Sequence, residues 1–267
     1  MRRTLGAVCG LLLPVLAVSG CAWLTPIRTV ERVALEPVPA GPDAVLDPVD
    51  SSLVYSREGL RVRVRHVPDA DLNAQVPGPE NPFTYRDEVD YRRRYVPVRF
   101  TVFQVTVNNP TFDKVLLQPE KAVLVTDRGA RLPAYVLTRA EAHGDARNFE
   151  TYWLSRGVQS GNAQRLYLER MSVLRGSIYH QDSFVFKGKD YTGMIAFDPL
   201  PPGTRQATLV LGDFVLEFGI YDIPRTTLDL GFVFAVERAV VEPAPDAGAS
   251  TVTPLRTEVV TTTGQVQ

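Results

Sequence analysis

Two cysteines, three histidines and two tryptophans in 267 residues leave little of the chemistry that thiols and imidazoles supply. So few nitrogen and sulfur ligands exclude a multi-ligand zinc cluster. Charge of either sign is not in excess: 29 Lys and Arg face 30 Asp and Glu, a net charge of -1. A general nucleic-acid binder needs a basic surplus to neutralise phosphates, so no nucleic-acid partner is expected. The apolar stretch Leu5 to Val18, interrupted by Pro14, is shorter than the ~20 residues of a bilayer-spanning helix. The nucleophile elbow Gly-x-Ser-x-Gly, His-Glu-x-x-His and a phosphate loop ending in Gly-Lys-Ser/Thr are all missing. No catalytic residue, metal site or cofactor is therefore expected.

What is present describes a folded chain. Hydrophobic residues make up 45%, which excludes wholesale disorder. The length allows one or two domains. Proline (21) outnumbers glycine (19), and β-branched and aromatic residues are frequent, which favours strands joined by turns.

The first 20 residues read as an address rather than as structure. Arg2 and Arg3 form a basic start, Leu5 to Val18 an apolar segment of secretory length, and small residues lead into Val18-Ser19-Gly20-Cys21. This order resembles a bacterial lipoprotein leader with its lipobox. The resemblance implies cleavage before Cys21, acylation of that thiol and anchoring to a membrane of the cell envelope. Two or more acyl chains hold stably where one does not. Ala22 after the cysteine leans toward the outer membrane, with the domain facing the periplasm or the surface. Cys9 falls in the discarded segment, so the mature chain has neither a free thiol nor a disulfide. Cleavage removes two Arg and no acid, leaving 27 basic against 30 acidic residues.

Residues 22–50 carry Pro26, Pro37, Pro39, Pro42 and Pro48 and read, together with Cys21, as a Pro-rich tether. The alternative is that Arg28 to Leu35 forms a first edge strand. Residues 242–267 lack aromatics and are rich in Pro, Ala, Ser and Thr, the composition of a disordered tail. A single domain is expected over residues 51–241.

That domain reads as β. Leu60, Val62 and Val64 alternate with Arg61, Arg63 and Arg65. Val98, Phe100 and Val102 share one phase and Phe103, Val105 and Val107 the other, which predicts a β-bulge between them. Ala122–Thr126 precedes the turn Asp127-Arg128-Gly129. Phe184 and Phe186, Gly193–Phe197, Ala207–Phe218 and Leu228–Val236 supply further strands, the third of them central. Phe149, Tyr152, Trp153 and Arg156, then Ala163, Leu166, Tyr167, Arg170, Met171 and Leu174, follow helical spacing. A helical insertion is expected over about 140–180, its stretches ending at Gly157 and Gly176.

The run Phe103 to Pro110, followed by Val123 to Gly129 and by Gly193 to Pro201, is similar to bacterial Ig-like extracellular lipoprotein domains. The Asn109-Pro110 turn also resembles the water-stress (late embryogenesis abundant) sandwich. The resemblance implies a mainly β, Ig-like antiparallel β-sandwich, with the helical insertion as a departure from it.

Candidate binding residues are basic or aromatic. Arg61, Arg63 and Arg65 line one strand face, and Arg92, Arg93 and Arg94 form a run. Either is a cationic surface for lipid headgroups, lipopolysaccharide or acidic polymer, or a solvated face paired with acids such as Asp87, Glu88 and Asp90. Trp153 is either a core anchor of the insertion or part of that surface. Asp69, Asp71, Asn73 and Glu80 imitate calcium-loop spacing, but Ala74 stands where glycine is required, so a polar surface loop is expected. The function expected is a lipid-anchored, non-enzymatic binding or structural module of the envelope, in contact with the membrane and an envelope protein. The alternatives are an envelope hydrolase using His66, His143 or His180, and an assembly accessory that docks through the helical insertion.

Overall fold

The computed structural model describes residues 29–40, 44–86, 88–158 and 161–241; the leader, Cys21 and the tail from residue 242 lie outside them. In chain order the strands are β1 (Val30–Val38), β2 (Ala44–Asp47), β3 (Ser52–Arg57), β4 (Leu60–His66), β5 (Thr101–Asn109), β6 (Lys114–Val115), β7 (Ala122–Thr126) and β8 (Arg131–Pro133). They continue with β9 (Tyr135–Val136), β10 (Arg147–Asn148), β11 (Val185–Phe186), β12 (Lys189–Phe197), β13 (Gln206–Phe218) and β14 (Pro224–Val241). The helices are α1 (Asp69–Gln75), α2 (Phe149–Leu154) and α3 (Asn162–Ser177). The chain is mainly β, and its sheets are largely antiparallel.

One sheet has the order β1-β14-β13-β7-β8, the other β10-β9-β12-β5-β4-β3-β2, and β11 pairs with β6 in a small ribbon. The inner faces of the two large sheets meet in one core. Leu60, Val62, Val64, Phe103, Val105, Val107, Ile195 and Phe197 come from one side, and Leu124, Leu209, Leu211, Leu230, Phe232 and Phe234 from the other. Period-2 alternation puts these residues inside while Arg61 and Arg63 stay exposed.

A second core lies on the outer face of the longer sheet. Val102, Met194 and Ala196 point away from the sandwich and pack with Phe100, Tyr135, Phe149, Trp153, Met171, Leu174 and Ile178. The helical insertion covers this end of the sheet. Asn148 caps α2, its side chain accepting from the Thr151 amide at 2.8 Å. Gly157 takes φ +85 just beyond that helix, whereas Gly176 does not stop α3, which runs one residue further.

Two sequence expectations are corrected by these cores. The phase change after Val102 is not a bulge: β5 pairs with β4 and β12 in unbroken register. Both phases are apolar because Val102 meets the second core on the outer face while Phe103, Val105 and Val107 enter the sandwich core. The bulge lies in β13, where Leu211 pairs with Leu230 but Phe214 with Leu228, so an extra residue is accommodated at Gly212-Asp213. That shift accounts for the apolar character of Ala207–Phe218, which is central as expected, between β14 and β7.

The tether reading is also corrected. Val30–Val38 is a full edge strand paired with β14, and Ala44–Asp47 pairs with β3. Leu35 enters the core, and Glu31 is buried, accepting from the Val98 amide at 3.1 Å and from Arg238 at 2.6 Å. Pro37 is tolerated because β1 is an edge. The folded unit therefore reaches back at least to residue 30, well before 51.

Gly193 sits where the chain leaves α3 and crosses β12. A Cβ there would lie 2.5 Å from the Tyr179 Cα and 2.6 Å from its amide nitrogen. Backbone on both sides cannot yield cheaply, and the Tyr179 amide donates to the Met194 carbonyl at 2.8 Å. Gly193→Ala is expected to lower stability by about 1–3 kcal/mol, measured by chemical denaturation. An unchanged midpoint would contradict this close approach.

Candidate functional site

A cleft of about 320 Å3 opens on the outer face of the longer sheet, away from the helical cover. Val54, Arg61, Arg63, Thr106, Asn108 and Asp190 line it. Strand register explains the grouping. Arg61 and Asp190 both pair with Asn108 from opposite sides, and Arg63 with Thr106, which pairs in turn with Thr192. Neighbouring strands lie ~4.8 Å apart, so these side chains form two polar rows on rigid backbone. The Thr106 and Thr192 hydroxyls share a 2.9 Å hydrogen bond. Asn109, one residue on, faces inward and fastens the turn, donating to the carbonyls of Phe112 and Val185.

The arginine row is less cationic than its sequence implies. Arg63 bridges Asp47 and Asp50, both at 2.9 Å, and Arg65 lies 3.8 Å from Asp71 and donates to Gln104. The Asp50 carboxyl is held below its ordinary value: hydrogen bonds from Ser52 and Arg63 outweigh the effect of burial. Among the described residues Arg61 has no ion pair, and with Asn108 and Asp190 it offers donors and acceptors side by side. Such a surface suits a polar, hydrogen-bonding ligand.

The second basic feature lies elsewhere. Arg92, Arg93 and Arg94 are exposed in a turn closed by Asp90 and Tyr95. Asp90 pairs with Arg93, and Glu88 turns inward to Arg99; Asp87 lies outside the described residues. The structure does not unite this run with the row on β4.

Trp153 belongs to the core, only 3% exposed, so it is not part of a surface. Arg170 stacks on its ring at 4.1 Å. Arg99 lies 4.7 Å from it and 4.0 Å from the Tyr85 ring. Burial pushes the Arg99 guanidinium below its ordinary value. Trp153 of the insertion and Tyr85 together cover Arg99. Of the insertion's apolar residues Phe149, Trp153, Met171 and Leu174 are buried, while Leu154 and Leu168 stay exposed on α2 and α3. An exposed apolar tip lies at Ile220, Tyr221 and Ile223, at the turn between β13 and β14.

Asp69, Asp71 and Asn73 form α1 rather than a loop, and Asn73 accepts from Thr84 and Asn81. Among the described residues no three His, Cys, Asp or Glu side chains gather around a common point. His66 packs edge-on against Phe103, and burial followed by Arg65 pushes its pKa down to about 4. The His180 ring contacts the Arg175 carbonyl.

Burial, then the Glu31 carboxylate, pushes the Asp69 pKa up to about 7, against the pull of Arg99. The folded state holds this proton where the unfolded chain has lost it. Asp69 therefore weakens the fold progressively as pH rises from 3.8 through about 7. Asp69→Asn is expected to raise the Tm at pH 8 and leave it nearly unchanged at pH 3.5. An equal shift at both values would contradict the buried carboxyl.

Sequence reasoning missed Asn108, Asp190 and Thr106 as surface partners of Arg61. The period-2 phase of Met194, extended back through Thr192 to Asp190, was the signal available. No family model matches the chain, and no curated protein matches it. The crystal structure of the yjhA protein from Bacillus subtilis is similar to 67% of this chain and 93% of its own at 11% identity, with a TM-score of 0.32, too slight a likeness to bear on function.

Proposed function

We propose that this chain is a lipid-anchored module of the cell envelope that binds rather than catalyses, and that it carries its ligand surface on the outer face of the longer sheet. The observation that supports this is the strand-borne cleft of Arg61, Asn108 and Asp190, with Arg63 and Thr106 beside it. Those groups are placed by regular register, so they recognise without rearranging. The anchoring half rests on the lipobox at Cys21. A photo-crosslinking residue at position 108, in the native envelope, tests the binding half. The same residue at Thr227, exposed on the other sheet, is the control. An adduct specific to position 108 is expected, and Arg61→Gln should diminish it. Identical adducts from both positions would overturn it.

A further inference from the structure

The turn that carries Arg92, Arg93 and Arg94 is fastened to the point where the chain leads back toward Cys21. The Thr29 hydroxyl donates to the Arg94 carbonyl at 3.1 Å, the Val96 amide to the Thr29 carbonyl at 3.1 Å, and the Glu31 amide to the Val96 carbonyl at 2.8 Å. The turn itself is rigid. Amides of Arg93 and Arg94 donate to the Asp90 carbonyl, those of Arg92 and Arg93 to its carboxylate, and Arg94 takes φ +61. Among the described residues its acids are engaged, Asp90 with Arg93 and Glu88 with Arg99. Arg92 and Arg94 have no ion pair among the described residues, and Tyr91 beside them is 87% exposed. Arg32, on β1, is exposed as well.

Thr29 follows Cys21 by eight residues, a length of at most ~29 Å when fully extended. An acyl anchor on Cys21 would therefore keep this turn within one short tether of the bilayer. Three arginines bind an anionic surface weakly on their own, but at the effective concentration such a tether imposes a weak contact becomes populated. Arginine matches phosphate geometry, and an exposed tyrosine suits headgroup depth. We infer that the turn Tyr91–Arg94 is the membrane-facing foot of the domain, binding the phosphates of anionic lipids in the bilayer that holds Cys21. This rests on the reading of Cys21 as the anchor. The apolar tip at Ile220–Ile223 lies at the far end of β14 from the Val30–Val241 pair, roughly 55 Å away at strand rise, so it would point from that bilayer.

The test places an environment-sensitive dye on Tyr91→Cys, or on Tyr221→Cys as control, in the acylated full chain on lipid nanodiscs. Discs of phosphatidylcholine alone are compared with discs containing phosphatidylglycerol. The dye at 91 should shift to the blue on the anionic discs only, and lose the shift in high salt. Arg92→Gln, Arg93→Gln and Arg94→Gln together should reduce the contact population by about 100-fold. The dye at 221 should report water throughout. Water-like emission at 91 on both discs, or a shift that survives the triple change, overturns the inference. A chain beginning at Ala22, held on nickel-chelating discs by an N-terminal polyhistidine tag, gives the same readout without acylation. Failure of the foot is thereby separated from failure of the anchor, which the mass of the Cys21 peptide reports.

Discussion

Replacing Trp153 with alanine is expected to lower unfolding stability by about 3–5 kcal/mol, the cost of emptying a core tryptophan site. Trp153 closes the second core against Tyr152 at a centroid distance of 5.1 Å, and its ring supports Arg170 and borders Arg99. The truncation leaves a void and also removes apolar cover from the Arg99 guanidinium, whose side chain is 2% exposed. Denaturant titration checks the value. A loss below ~1 kcal/mol would be incompatible with a packed insertion and would restore docking as its role.

Arg238→Met is expected to cost a similar amount, about 3–5 kcal/mol, because it strands a buried charge. The Glu31 side chain is 4% exposed, and Arg238 is its ion-pair partner. Arg238 also donates to the Leu200 carbonyl at 2.7 Å, binding β14 to the loop before β13. The double variant Glu31→Met with Arg238→Met should recover part of the loss, since no charge remains buried, though the Val98 amide and Leu200 carbonyl lose their partners. The pair makes residue 31 structural. Trimming the chain to residue 51 should therefore unfold the sandwich, whereas trimming to residue 29 should not.

The strands that alternate with one buried face were legible in the sequence. Leu60–Val64 and Leu228–Val236 have a period that only a half-buried sheet produces. The insertion was legible through helical spacing and the glycine after Arg156. What stayed hidden has a common cause. A period-2 reading assumes one buried face, so β5, covered on both faces only at its Thr101–Phe103 end, presented a false bulge, while the register shift in β13 passed as a continuous apolar run. Proline content disguised β1, because an edge strand admits Pro37 where a central strand would not. For the candidate site, Arg61 and Arg63 were visible as a row, but their neighbours come from β5 and β12, 43 to 129 residues away in sequence. Arg63 lost its apparent freedom to Asp47 and Asp50, acids in the segment read as a tether.

We propose that Cys21 holds this sandwich to a membrane, with the turn Tyr91–Arg94 as its foot. Mass spectrometry of the N-terminal peptide from the protein purified out of its native membrane reads this anchoring at the residue itself. The expected result is a peptide beginning at Cys21 that carries a thioether-linked diacylglycerol, and its loss in Cys21→Ser. A peptide that retains residues 1–20, or begins at an unmodified Cys21, would contradict it.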